Sequence, residues 1–117
     1  MSNFVWSDAW LLLSLIYGKE PLDRHRIRDI GDFVNHAVFT DSELEGGLHR
    51  LQSSGLIRRL GKKFAASSGV MRWYAREIKG KSRTYVYKDL ERVESLLALP
   101  SNLHQSTRVH HRSRRLD

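Results

Sequence analysis

Cysteine is absent from the 117 residues. That excludes disulfides, thiolate metal sites and thiol redox sensing, and it fits a reducing compartment. Long apolar runs are also missing: the longest, Ala9 to Tyr17, is broken by Ser14, whereas a membrane-spanning helix needs about 20 residues. Met1-Ser2-Asn3-Phe4 has no basic residue of the kind that opens a secretion signal. The expectation is a soluble, cytoplasmic protein. Hydrophobic residues make up 40% of the chain, with three Trp, four Tyr and four Phe. Such a composition folds, and this length suits one domain with a single core.

The spacings that catalysis and metal binding require are missing too. His25, His36 and His49 are scattered, His110 and His111 lie near the C-terminus, and no Cys or paired Asp/Glu accompanies them at ligand spacing. Asp29 and Asp32 read as solvent-facing residues of one helix. No glycine-rich phosphate loop or nucleophile turn occurs. The chain is expected to be no enzyme and to hold neither metal nor cofactor.

Acidic residues are scarce in one stretch. From Arg58 to Lys88 ten Lys/Arg face a single acid, Glu77, giving that block +9 of a chain whose net charge is +7. Residues 1–57 carry eight acids and five bases. A self-repelling block of this kind destabilises the compact state unless an anion meets it, and phosphate is the usual anion.

The pattern of elements is mostly helical. Ser7 and Asp8 suit the start of a first helix that runs to Gly18, a residue able to take the left-handed C′ conformation. Its apolar residues lie on every side, so it should be buried all round or shared with a partner. Pro21 and Asp23 open a second helix with Ile27, Ile30, Val34 and Ala37 at helical spacing, ending near Asn35-His36. Thr40-Asp41-Ser42-Glu43 is a capping box for a third helix, with Leu44, Leu48 and Leu51 on one face and Gly55 closing it. The inner Gly46-Gly47 pair costs about 1 kcal/mol per residue relative to Ala, which suggests close packing on a neighbouring helix or a ligand. Residues 56–66 read as a hairpin about Gly61-Lys62. Ser67 or Ser68 caps a fourth helix through Val70, Trp73 and Ile78 that breaks at Gly80. A fifth, about Lys88 to Leu99, carries Leu90, Val93, Leu96 and Leu97 and stops at Pro100. Residues 100–117 read as a basic, flexible tail.

Residues 40–66, TDSELEGGLHRLQSSGLIRRLGKKFAA, resemble the third helix and wing of winged helix-turn-helix DNA-binding domains: a capped helix, spaced leucines, Gly-Leu-Ile, then a basic hairpin. With the two preceding helices the resemblance covers about residues 7–67. It implies a mostly α fold with a small β-hairpin wing, namely a three-helix core, the wing and one or two C-terminal helices within residues 1–99. It also implies binding to double-stranded DNA and work as a transcriptional regulator.

In that frame Arg58, Arg59, Lys62 and Lys63 of the wing reach phosphates, and the third helix offers His49, Arg50 and Gln52 to base edges. Its N-terminal half holds two acids and two glycines, a departure from a good base reader. Arg72 and Arg76 extend the basic surface, and their neighbours Trp73, Tyr74, Tyr85 and Tyr87 could stack on single-stranded bases or simply pack on the core. A rival reading is a protein–protein adaptor, seating the acidic third helix and its Gly-Gly pair against a partner. The apolar residues Trp6, Trp10, Leu13, Leu90, Val93 and Leu97 suggest either a homodimer through helices one and five or a monomer that uses them in its own core.

Overall fold

A computed structural model describes residues 3–99. The tail expected over residues 100–117 lies outside the described residues. Five helices and one antiparallel hairpin follow in the order α1 (Trp6–Gly18), α2 (Arg24–Asn35), α3 (Asp41–Ser53), β1 (Ile57–Leu60), β2 (Lys63–Ala66), α4 (Ser68–Ile78) and α5 (Val86–Leu96). The mostly helical fold with a small hairpin is thus present.

Helix α1 is the axis of the molecule. Its residues 7–16 are all buried, and it contacts α2, α3, α5, β2 and α4. Of the apolar residues that suggested a dimer, Trp10 and Leu13 of α1 are buried together with Leu90, Val93 and Leu97 of the α5 region, and Trp6 is half-buried. Trp10 shows the density of this packing. Its ring stacks on Phe39 at 3.7 Å, and its Nε1 donates to the Gly31 carbonyl at 2.9 Å. A Cβ at Gly31 would stand 2.4 Å from the Phe39 ring, so only glycine fits.

The helix starts and stops follow local chemistry. Asp23 caps α2 by accepting the Arg26 amide, Thr40 and Glu43 form the expected reciprocal box on α3, and Ser67 accepts the Val70 amide of α4. Gly55 takes φ +78°, with Leu56 N–H bonded to the Leu51 carbonyl and Gly55 N–H to that of Gln52. This Schellman turn swings Leu56 and Ile57 from α3 into β1.

Two boundaries and one capping residue differ from expectation. Helix α1 starts at Trp6 rather than after Ser7, because the Asp8 carboxylate reaches back to the Val5 N–H (3.1 Å) and holds an earlier first turn. The left-handed residue at its end is Lys19 (φ 67°), not Gly18. Gly18 is needed instead because the Leu22 side chain lies 2.4 Å from where its Cβ would be. Helix α5 spans Val86–Leu96 rather than 88–99 and closes in a second Schellman turn, with Ala98 at φ 61° and Leu99 N–H on the Glu94 carbonyl.

The hairpin pairs Ile57 with Ala66, Arg59 with Phe64 and Leu60 with Lys63. That leaves Gly61-Lys62 as a two-residue turn with Gly61 at φ +66°, the place where a type II′ turn requires glycine. The far edge of β2 is covered: Leu22 and Phe64 exchange both backbone hydrogen bonds at 2.8 Å. The hairpin is thereby clamped to the segment joining α1 and α2.

Candidate nucleic-acid interface

Phe64 organises the base of the hairpin. Its side chain is buried, with the Arg24 guanidinium 5.2 Å and the Arg59 guanidinium 5.3 Å from its ring centroid, both within cation–π range. Arg59 is steadied further by donating to the Gly61 carbonyl at 2.8 Å. Arg24 in turn makes a two-pronged contact to Glu45 of α3, Nε to Oε2 at 2.6 Å and Nη2 to Oε1 at 2.9 Å. That hydrogen bonding holds the Glu45 carboxyl below the usual carboxylate range, helped by the charges of Arg24, Arg28 and Arg59. The start of α2, the outer face of α3 and the hairpin thus meet in one electrostatic cluster. Arg24 and Phe64 are the members that sequence reasoning missed. A strand bridge to Leu22 and an ion pair across 21 residues leave no periodic trace.

The acids of α3 are accounted for. Glu45 pairs with Arg24, Asp41 with Arg28 at 2.6 Å, and Glu43 bonds back to the Thr40 N–H. The outward strip is therefore not a bare acidic face. It runs Ser42, Glu45, His49, Gln52 and Ser53, all exposed.

Arg50 does not belong to that strip. Its Nε and Nη2 grip Asp8 Oδ2 and Oδ1 at 2.7 and 2.9 Å, and Asp8 is fully buried. The hydrogen bonds to Asp8 raise the already high pKa of Arg50. A buried carboxylate needs a charged partner, and Arg50 supplies it. Gly47 permits the contact, since a Cβ there would stand 2.7 Å from a Leu11 methyl and 2.9 Å from Asp8 Oδ1. Of the two sources of close packing considered for the glycine pair, Gly47 shows the neighbouring helix. Of the three base-reading candidates, His49 and Gln52 remain exposed.

On the hairpin, Arg58, Lys62 and Lys63 are exposed, and their side chains have no ion pair or hydrogen bond among the described residues. Within the basic block, among the described residues, only Lys88 has a carboxylate at ion-pair distance, Glu91 at 3.9 Å. Arg72 and Arg76 are exposed one turn apart on α4. No side-chain interaction among the described residues ties them to the Arg24–Phe64–Arg59 cluster. Trp73 and Tyr74 are half-buried against the core, whereas Tyr85 and Tyr87 are exposed.

No group of three His, Cys, Asp or Glu able to hold a metal occurs among the described residues, and no helix there is long and apolar enough to cross a membrane. No protein-family model, curated protein or solved structure matches the chain.

Proposed function

We propose that this chain is a winged-helix-like module that binds double-stranded DNA and acts in transcriptional regulation. The observation that carries the reading is the set of exposed cations Arg58, Lys62 and Lys63, without carboxylate partners among the described residues, on a hairpin fed directly by α3. Together with Arg59 they supply phosphate contacts, which fix position without reading sequence. His49 and Gln52 supply limited base contact from the outward strip of α3. Arg24, held at the junction of α2, α3 and the hairpin, lies where it can join the phosphate set by leaving Glu45.

Fluorescence-anisotropy titration of a random duplex at several salt concentrations tests this. Binding should be micromolar and steeply salt-dependent. Replacing Arg58, Arg59, Lys62 and Lys63 together by Ala should flatten the slope of log K against log salt by up to about 4 and weaken binding by up to about a thousandfold at 0.1 M salt. Because these side chains are exposed, the urea midpoint should hardly move. Binding equal to wild type would overturn the assignment.

A second reading, docking of a protein partner, draws on a different place. Phe33 (65% exposed) and Val38 (63% exposed) stand out at the end of α2 and in the connection to α3. The Gly-Gly pair gives that reading less help than the sequence suggested, since Gly47 is already packed on α1. Substituting Phe33 and Val38 by Ser should leave duplex affinity unchanged if DNA is the partner.

A further inference from the structure

We infer that Tyr85 and Tyr87 form a stacking platform for unpaired nucleotides, separate from the hairpin. The four tyrosines divide sharply. Tyr17 and Tyr74 both donate their hydroxyls to Asp89 Oδ2, at 2.7 and 2.8 Å, and are part of the packing. Tyr85 and Tyr87 are 47% and 54% exposed, and neither hydroxyl makes a hydrogen bond among the described residues. Their rings lie together, centroids 5.9 Å apart and inclined by 30°. Such a pair leaves apolar faces in water, where packing on the core would have covered them.

The surroundings fit a polyanion threaded past those rings. Arg83 lies over Tyr85 at 5.2 Å and Lys88 over Tyr87 at 5.8 Å. From Lys79 to Lys88 there are four cations and no acid. Lys79 and Lys81 are exposed and without an ion pair among the described residues. Aromatic faces for bases alternating with cations for phosphates are what single-strand binding uses. Duplex DNA cannot exploit them, because its bases present edges rather than faces. The two rings are inclined rather than parallel, so a base stacks on the open face of one ring instead of between them.

The support beneath the platform is rigid. Asp89, buried in the first turn of α5, receives Tyr17 from α1, Tyr74 from α4 and Arg92 from its own helix, and its N–H bonds to the Tyr85 carbonyl at 2.9 Å. The backbone carrying both rings is thus held to three helices while the rings themselves stay in solvent.

The inference does not rest on duplex binding by the hairpin. It is tested on the full chain with a labelled oligothymidylate and a duplex of equal length. Tyr85→Ala with Tyr87→Ala should weaken oligothymidylate binding by at least about tenfold and change duplex binding by less than about twofold. Tyr85→Phe with Tyr87→Phe keeps the rings and should bind the single strand as wild type does. The hairpin quadruple variant should still show the tyrosine-dependent difference. Because both side chains are exposed and Tyr85 makes no side-chain cap bond, circular dichroism of the variants should match wild type. The inference is overturned if wild type ignores oligothymidylate, if the Ala pair binds it unchanged, if the Phe pair loses as much as the Ala pair, or if duplex binding falls equally.

Discussion

Arg24, Arg28 and Arg50 each end on a carboxylate, at 2.6, 2.6 and 2.7 Å, whereas Arg58, Lys62, Lys63, Arg72 and Arg76 end in solvent. The difference is one of supply. Residues 1–57 hold more acids than bases, so every arginine there finds a partner; downstream to Lys88 there is only Glu77. A cation's charge thus says little about its role, and its partner says much. Paired arginines join α2 and α3 to their neighbours; unpaired ones produce the field that an external anion would meet.

The strongest way to break that comparison is Arg50→Ala. If Arg50 is a structural counter-ion, its loss leaves Asp8 buried with the Val5 N–H and no cation. The expected cost is about 3 kcal/mol, taken at the low end for buried pairs because Arg50 itself is one-third exposed. Urea denaturation reads it, and duplex affinity per folded molecule should be unchanged. The opposite result, normal stability with lost affinity, would return Arg50 to the base-reading set and erase the distinction.

Asp89 offers a smaller test, because its partners are mostly neutral. Burial, and next the hydrogen bond to Asp89, push the Tyr17 hydroxyl far above the ordinary tyrosine range; the same two causes raise Tyr74. Each folded-state pKa lies above its unfolded value, so the folded chain keeps protons that the unfolded chain releases. The associated stability is fully present below about pH 10 and is lost as pH rises beyond it, by up to about 1.4 kcal/mol per pH unit for each group. Tyr17→Phe should cost about 1 kcal/mol at neutral pH and make the alkaline fall in urea midpoint visibly shallower.

What the sequence disclosed was mainly local. The Thr40–Glu43 box, the Asp23 cap, the Gly55 turn and the Gly61 hairpin turn are each written within a few consecutive residues, and each is present. The all-round apolar pattern of α1 likewise announced burial, though not that the chain itself would bury residues 7–16. The candidate site was legible only on the hairpin, where charge density marks it. Arg50 looked outward by spacing because its partner Asp8 lies 42 residues away, and nothing in the periodicity of α3 encodes a carboxylate on α1. Arg24 went unnoticed for the same reason, since Glu45 of α3 and Phe64 of β2 reach it only in the folded chain. The left-handed residues Lys19 and Ala98 were hidden because neither is a residue type that selects that conformation.

Arg24 is also where the two classes of cation can be interconverted, and the effect on the fold should be the smallest of all. Both partners of the Arg24–Glu45 pair are substantially exposed, so Glu45→Gln should alter stability by less than about 1 kcal/mol. For binding, the change removes a negative charge from the outward strip of α3 and releases a guanidinium that Phe64 still holds in place. If the paired state is what keeps Arg24 out of the phosphate-binding set, duplex affinity should rise, and the slope of log K against log salt should steepen by about 1. Glu45→Gln combined with Arg24→Ala should lose that added slope. An unchanged slope in the single variant would mean that Arg24 stays bound to its aromatic neighbour in either state, and that pairing with a carboxylate does not decide which arginines face the nucleic acid.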